Sequence, residues 1–132
     1  MLSINKLRKL SFLVYGLGST GKSVVNFFKR NNIKKFEVWD DKNIDLYKKN
    51  RAQNINKTIE IVDFIILSPG ISLKNTKRKN NLEKFEEKII TDIDLLYLTN
   101  TKLNSIVVTG SNGKSTTCKI LSHVLKKNNF QP

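Results

Sequence analysis

Residues Gly16–Ser23, with the sequence GLGSTGKS, have the types and spacing of a loop that binds phosphate groups. They fit two patterns at once. Gly16, Gly18 and Gly21 form G-x-G-x-x-G, which is typical of a dinucleotide-binding turn. The same stretch also fits G-x-x-x-x-G-K-[ST], the pattern of an NTP-binding P-loop, with Lys22 as its lysine. In both cases backbone N–H groups and the start of a helix would favour an anion.

The dinucleotide pattern accounts for more of the surrounding sequence. Asp40 follows Gly21 by nineteen residues, at the end of the next predicted strand, where a nucleotide-binding domain places an acid for a ribose hydroxyl. A P-loop enzyme usually has a second strand ending in Asp to help hold Mg²⁺, but the apolar run FIIL ends in Ser68, Pro69 and Gly70. We therefore interpret Lys22 as a solvated lysine on the first helical turn.

A second phosphate loop is predicted at Thr109–Thr116, TGSNGKST, although the first glycine of the P-loop pattern is missing there. Gly110 and Gly113 permit a backbone wrapped around phosphate. Lys114 supplies a cation for the β- and γ-phosphates, and the Ser115 hydroxyl can reach Mg²⁺. The stretch therefore predicts an ATP site.

Strands and helices that would position these loops alternate along the chain. Apolar runs and periodicity predict strands at 11–16, 35–41, 64–67, 88–91 and 104–110, and helices at 20–32, 92–100 and 113–129. Residues 41–57 have no clear pattern, and 74–81 predict a solvated loop or a frayed helix.

This alternation predicts an α/β fold with a parallel sheet covered on both faces. Ligands of such sheets bind at the carboxyl ends of the strands, where the glycine-rich and acidic loops lie. We predict a Rossmann-like parallel-sheet domain over residues 1–100. Residues 101–132 are predicted to form the first strand, P-loop and helix of a central ATPase domain.

The motifs together resemble those of the Mur ligase family. TGSNGKST is similar to the ATP loop T-G-[ST]-N-G-K-[ST] of the Mur and folylpolyglutamate synthetase superfamily. GLGSTG, DFIILSPGI and TDIDLL resemble, in order and at about the right spacing, three motifs of the D-glutamate-adding member. The likeness covers essentially the whole chain but only the first third of such an enzyme. Lys22 departs from a usually apolar position, and Lys42 stands where relatives often have Arg.

This resemblance implies an ATP-dependent, amide bond-forming ligase of peptidoglycan precursor synthesis. It would add D-glutamate to UDP-N-acetylmuramoyl-L-alanine through an acyl phosphate, with ATP and Mg²⁺, as a cytoplasmic monomer. The first loop would bind the UDP part of the substrate, and its implied contacts are Gly18, Ser19, Thr20, Asp40, Asp41, Ser68, Pro69 and Gly70. The second loop would bind ATP, with Lys114 as the catalytic residue and Ser115 as a ligand of the metal. Its implied ATP contacts are Thr109, Gly110, Ser111, Asn112, Gly113, Lys114, Ser115 and Thr116.

The resemblance also implies that the adenine pocket, the other metal ligands and the D-glutamate site come from sequence beyond residue 132. We therefore expect the chain alone to have no ligase activity.

Composition limits the possible partners. The formal net charge is +13, but the lysines are scattered without interleaved aromatic residues, so we expect no nucleic-acid partner. A single cysteine, Cys118, cannot form an internal disulfide, which suits the cytoplasm. No apolar run reaches membrane-spanning length, so we expect no membrane partner.

Three alternatives stay open at this point. The chain could belong to another Mur ligase. An NAD(P)-binding oxidoreductase domain would explain Gly16–Gly21 and Asp40, but it leaves Gly110–Ser115 unexplained. A non-catalytic nucleotide-binding or basic interaction module would explain the net charge.

Overall fold

A computed structural model of the chain describes residues 3–42, 47–73, 76–99 and 104–132. The chain divides into two compact units, Met1–Thr101 and Lys102–Pro132. The domain boundary predicted between residues 100 and 101 lies outside the described residues. Within the described ranges, no helix has both the length and the apolar character needed to cross a membrane.

The first unit contains a four-stranded sheet in which each neighbouring pair of strands is parallel. Its strands are β1 (Phe12–Tyr15), β2 (Phe36–Trp39), β3 (Phe64–Leu67) and β4 (Ile89–Ile90), and they lie side by side in the order β2-β1-β3-β4. The chain moves outward from β1 to β2 and then returns past β1 to β3. The strand order therefore reverses at β1 and β3, which creates a crevice beyond their carboxyl ends.

The helices of the described residues are α1 (Ile4–Leu7), α2 (Ser19–Arg30), α3 (Ile55–Ile61), α4 (Lys79–Glu83), α5 (Asp92–Thr99) and α6 (Lys114–Lys127), with short 3-10 turns at Lys48–Asn50 and Glu86–Lys88. Of these helices, α2, α3 and α4 connect consecutive strands. The α/β class and the parallel sheet predicted from the sequence are confirmed.

Helix α3 was not predicted, because it is only seven residues long and begins within the stretch 41–57 that has no clear pattern. The Asn54 side chain caps its start by accepting from the Lys57 N–H at 3.2 Å. Ile55, Thr58 and Ile59 are buried at the i, i+3, i+4 spacing of a helix. This pattern is too short to stand out in the sequence, so packing against the sheet decides the structure.

Side chains alternate across the strands and fill two apolar layers. Phe12 and Val14 of β1 belong to one layer, together with residues of α2 and with Leu95 of α5. Leu13 and Tyr15 belong to the other layer, which contains residues of α3 and Leu82 of α4. A strand has a side-chain period of two, so burying both faces requires the continuous apolar run that β1 shows.

The free edge of β2 is partly covered by the segment that precedes α3. The Ala52 N–H donates to the carbonyl of Val38 at 3.1 Å, and Arg51 forms a parallel bridge with Val38. An uncovered edge presents unpaired backbone groups to other chains. Part of the region without a clear sequence pattern therefore protects the sheet.

In the second unit, the strand predicted at 104–110 is not confirmed, since these residues form no β-strand. A strand requires a hydrogen-bonded neighbour, and none is present among the described residues. Ile106 and Val107 are consequently 62% and 83% exposed. Helix α6 forms as predicted, but none of its residues is buried.

We expect backbone amides of Ser105–Asn128 to exchange with solvent much faster than those of β1 and β3. The described residues 104–132 include no buried side chain, whereas β1 is buried throughout. Local opening is easy where few apolar contacts must be broken. Hydrogen exchange of the 132-residue chain, resolved residue by residue, measures this. Equal protection of both regions would contradict the prediction.

Candidate nucleotide and phosphate sites

The first candidate site lies at the carboxyl edge of the sheet, where β1, β2 and β3 end side by side. Gly16, Asp40 and Ser68 are the residues that directly follow these strands. The sequence separates these residues widely, and the parallel register brings them to one edge. The three segments with predicted UDP contacts therefore meet.

Backbone hydrogen bonds continue past the strand ends and fix the first loop. The Gly16 N–H donates to the carbonyl of Trp39 at 2.8 Å, and the Ser68 N–H donates to the carbonyl of Tyr15 at 3.0 Å. The buried Ser68 hydroxyl donates to the carbonyl of Gly16 at 2.8 Å. Ser68 therefore holds the first loop against the end of β3.

Two glycines allow this close packing. Gly16 has φ +97°, a backbone conformation that other residues rarely adopt. A Cβ atom on Gly21 would lie 1.9 Å from the carbonyl oxygen of Gly16, so only glycine lets α2 begin so near the loop. Gly18 is different, because a Cβ atom there would meet nothing within 4 Å. Gly18 thus faces open space, where a ligand can approach the backbone.

The Asp40 side chain stabilises the first loop by accepting backbone hydrogen bonds. Its carboxylate accepts from the Leu17 N–H at 2.6 Å and from the Lys42 N–H at 2.8 Å, one bond to each oxygen. The acid that the sequence predicts for a ribose hydroxyl thus already joins the loops after β1 and β2. Its contact with UDP stays a prediction.

Asp41 is the centre of a hydrogen-bond network that the sequence analysis missed. Its carboxylate accepts from the Tyr15 hydroxyl and from Trp39 Nε1, each at 2.9 Å. The Thr76 hydroxyl lies 2.9 Å from the Tyr15 hydroxyl and 3.4 Å from Asp41 Oδ2. Burial raises the pKa of Tyr15 to about 12, so its hydroxyl stays protonated near neutral pH. A tyrosine as the last residue of an otherwise apolar strand was the available sequence signal.

The remaining predicted UDP contacts lie around the open side of this edge. Gly18, Ser19, Pro69 and Gly70 are exposed, and Thr20 is half-buried in the first turn of α2. Helix α2 has twelve residues, so its N-terminus presents unpaired N–H groups and a positive dipole end to an anion.

The P-loop interpretation of the same stretch finds less support. Lys22 is exposed, and the Ser23 hydroxyl donates to the carbonyl of Ser19 within α2 at 3.0 Å. The hydroxyl that a P-loop would use for Mg²⁺ is therefore engaged inside the helix.

The second candidate site is the loop before α6. Gly110 and Gly113 have φ +144° and +77°, which supports the wrapped backbone predicted there. The Lys114 ammonium donates to the carbonyls of Gly110 and Ser111. All the predicted ATP-binding residues, Thr109–Thr116, are exposed. The loop thus combines a cation, flexible glycines and a helix N-terminus, which fits a phosphate group.

A complete metal site is not built from the described residues, which include no group of three or more His, Cys, Asp or Glu that could hold an ion. No Asp or Glu follows Asp94 in the sequence. Ser115 is the residue of this loop that the resemblance assigns to Mg²⁺, and its metal contact stays a prediction.

A parallel sheet with glycine-rich and acidic loops at its carboxyl edge defines the class: a Rossmann-like α/β domain of the kind that binds nucleotides. Comparison with known proteins narrows this class. Residues 10–91 match the family described as Mur ligase MurD-like, N-terminal domain. The chain belongs to this family, and the resemblance inferred from the motifs is confirmed.

Two relatives illustrate the similarity. The chain is 43% identical over 123 residues to the UDP-N-acetylmuramoylalanine–D-glutamate ligase of Francisella philomiragia. It is 40% identical over 124 residues to the protein of the same name from Francisella tularensis. In each case the match covers 92% of this chain and 27% of the relative.

Proposed function

We propose that the chain supplies the UDP-binding domain and the ATP loop of a ligase that adds D-glutamate to UDP-N-acetylmuramoyl-L-alanine. The observation that carries this proposal is the meeting of the loops after β1, β2 and β3 at one edge, joined by Asp40 and by the Ser68 hydroxyl. Family membership and the names of the relatives favour the same substrate.

In the proposed UDP site, the exposed residues Gly18, Ser19, Pro69 and Gly70 form the contact surface, and Thr20 extends it along α2. Asp40, Asp41 and Ser68 border this surface and hold it in shape. The diphosphate would accept hydrogen bonds from the N–H groups at the start of α2, where the helix dipole favours a negative charge.

The proposed reaction has two steps. A carboxylate oxygen of UDP-N-acetylmuramoyl-L-alanine attacks the γ-phosphorus of ATP, ADP leaves, and an acyl phosphate forms. The amine nitrogen of D-glutamate then attacks the acyl carbon, phosphate leaves, and the nitrogen loses a proton to give the amide.

The second loop would act in the first of these steps. The Lys114 ammonium would leave the carbonyls of Gly110 and Ser111 and neutralise the charge of the transferred phosphoryl group. The Ser115 hydroxyl would help to hold Mg²⁺, which neutralises phosphate charge when it is bound. Positioning and charge neutralisation supply most of the rate acceleration in phosphoryl transfer.

Calorimetry of the 132-residue chain tests the first site. We expect UDP to bind and NADH not to bind. A Gly18→Val substitution should abolish UDP binding, because its side chain would fill the open space beside the backbone without clashing with the protein. Binding of NADH without UDP would contradict the proposal and favour an oxidoreductase domain.

The basic-module alternative has its own test. Retention of the chain on heparin but not on a UDP resin would favour an interaction module over a substrate-binding domain. Elution of the chain from the UDP resin by free UDP is the result expected here.

A further inference from the structure

The Tyr15 hydroxyl stands out because the apolar core does not require it. Tyr15 ends β1, is 0% exposed and belongs to an apolar layer, so a phenylalanine ring would fill the same space. A buried hydroxyl destabilises the fold unless it is hydrogen-bonded. The partners of this hydroxyl, Asp41 and Thr76, both lie outside the strands, at the carboxyl edge of the sheet.

The Asp41 carboxylate connects three segments through these bonds. Tyr15 donates from the end of β1 and Trp39 from the end of β2, and Thr76 reaches it from the chain after β3. These strands are the ones whose following loops carry the proposed UDP contacts. A carboxylate has about four acceptor positions. The Tyr15 hydroxyl and Trp39 Nε1 occupy two of them, and the single Thr76 proton goes either to Asp41 or to the Tyr15 oxygen, so the protein occupies at least half of these positions.

A further contact extends the network on the side after β3. The Arg78 N–H donates to the Thr76 hydroxyl at 3.3 Å, and the Arg78 guanidinium lies 5.7 Å from the centre of the Trp39 ring. The segment Thr76–Arg78 is thus held against the end of β2 by hydrogen bonds and a cation–π contact.

We propose that Tyr15 is a positioning residue for UDP binding, acting through Asp41 and Thr76. The network holds Asp41, at the end of β2, in one position relative to the segment Thr76–Arg78 after β3. Asp41 itself then shapes the site and does not serve as a main ligand contact. This inference rests on the proposed UDP site and specifies how that site is held in its binding conformation.

The test uses the 132-residue chain, UDP as the probe and two isosteric substitutions. Tyr15→Phe removes only the hydroxyl from the core, and Thr76→Val removes only the hydroxyl at the other end of the network. Each should weaken UDP binding about tenfold, the effect typical of losing one hydrogen bond to a charged group. The double variant should have nearly the same affinity for UDP as the single variant with the lower affinity, because both changes break the same network.

Two controls separate positioning from general destabilisation. Ile59→Val lowers stability from a buried position in α3, and Tyr47→Phe removes a tyrosine hydroxyl outside this network. Both should bind UDP like the unmodified chain. The thermal unfolding midpoint of each variant, measured without ligand, identifies variants of matched stability.

The outcomes are distinguishable. Unchanged UDP affinity in Tyr15→Phe and Thr76→Val, with binding by the unmodified chain, overturns the positioning role alone. A loss of affinity in Ile59→Val equal to that in Tyr15→Phe at matched stability also overturns it. Absence of UDP binding by the unmodified chain overturns the proposed function and this inference with it.

Discussion

Replacing Lys114 with alanine is expected to lower kcat by about a hundredfold or more, the usual cost of removing one group that stabilises transition-state charge. The experiment uses a chimera in which residues 1–132 replace the matching part of the Francisella philomiragia ligase, to which the chain is 43% identical. Lys114 is exposed and bonded only to carbonyls of its own loop among its described contacts, so folding should be unaffected.

Lys22→Ala is the matched control, because both lysines lie between a glycine and a serine in a G-K-S triplet. Lys22 is exposed on the first turn of α2, and the neighbouring Ser23 hydroxyl bonds within that helix. Its removal should change kcat little. A chimera that depends on Lys22 and tolerates loss of Lys114 would show that the first loop, and not the second, binds ATP.

Gly21→Ala is expected to destabilise the first unit by about 3 kcal/mol or more, as severe overpacking does. The new Cβ atom would lie 1.9 Å from the carbonyl oxygen of Gly16, a backbone atom that cannot rotate away. That same carbonyl accepts from the Ser68 hydroxyl, so moving it would also disturb the end of β3. In a domain of this size, the thermal unfolding midpoint should fall by about 10 °C or more.

Gly18→Ala is the control for Gly21→Ala, since it adds the same methyl group three chain positions closer to β1. Its Cβ atom would meet nothing within 4 Å, and φ at Gly18 is −66°, which any residue adopts. Its effect on stability should stay below about 1 kcal/mol. If the two variants unfolded at the same temperature, the close approach of α2 to the first loop would not matter for stability.

Local patterns allowed much of the first unit to be predicted. Apolar runs marked β1 and β3 because a strand buried on both faces needs no polar residues. The periodic apolar positions of α2 marked a helix because only one face of that helix packs against the sheet. The predicted strand at 104–110 failed because its pattern was apolar but no partner strand is described for it, and a strand depends on its neighbour.

The glycine-rich motifs determined the positions of both candidate loops and the family. Backbone conformations such as those of Gly16 and Gly113 are accessible mainly to glycine, so the glycines in the sequence mark where they occur. The order of the motifs along the chain favoured this family over other nucleotide-binding domains, and the family match then confirmed it.

Only the tertiary structure showed which protein groups donate hydrogen bonds to the acids at the first site. The sequence predicted Asp40 and Asp41 as ligand contacts, whereas each has protein donors at its carboxylate. The bond from Tyr15 to Asp41 spans 26 residues, and the contact between Tyr15 and Thr76 spans 61. Local periodicity carries no information about such distant pairs, because the parallel register of the sheet brings them together only after folding.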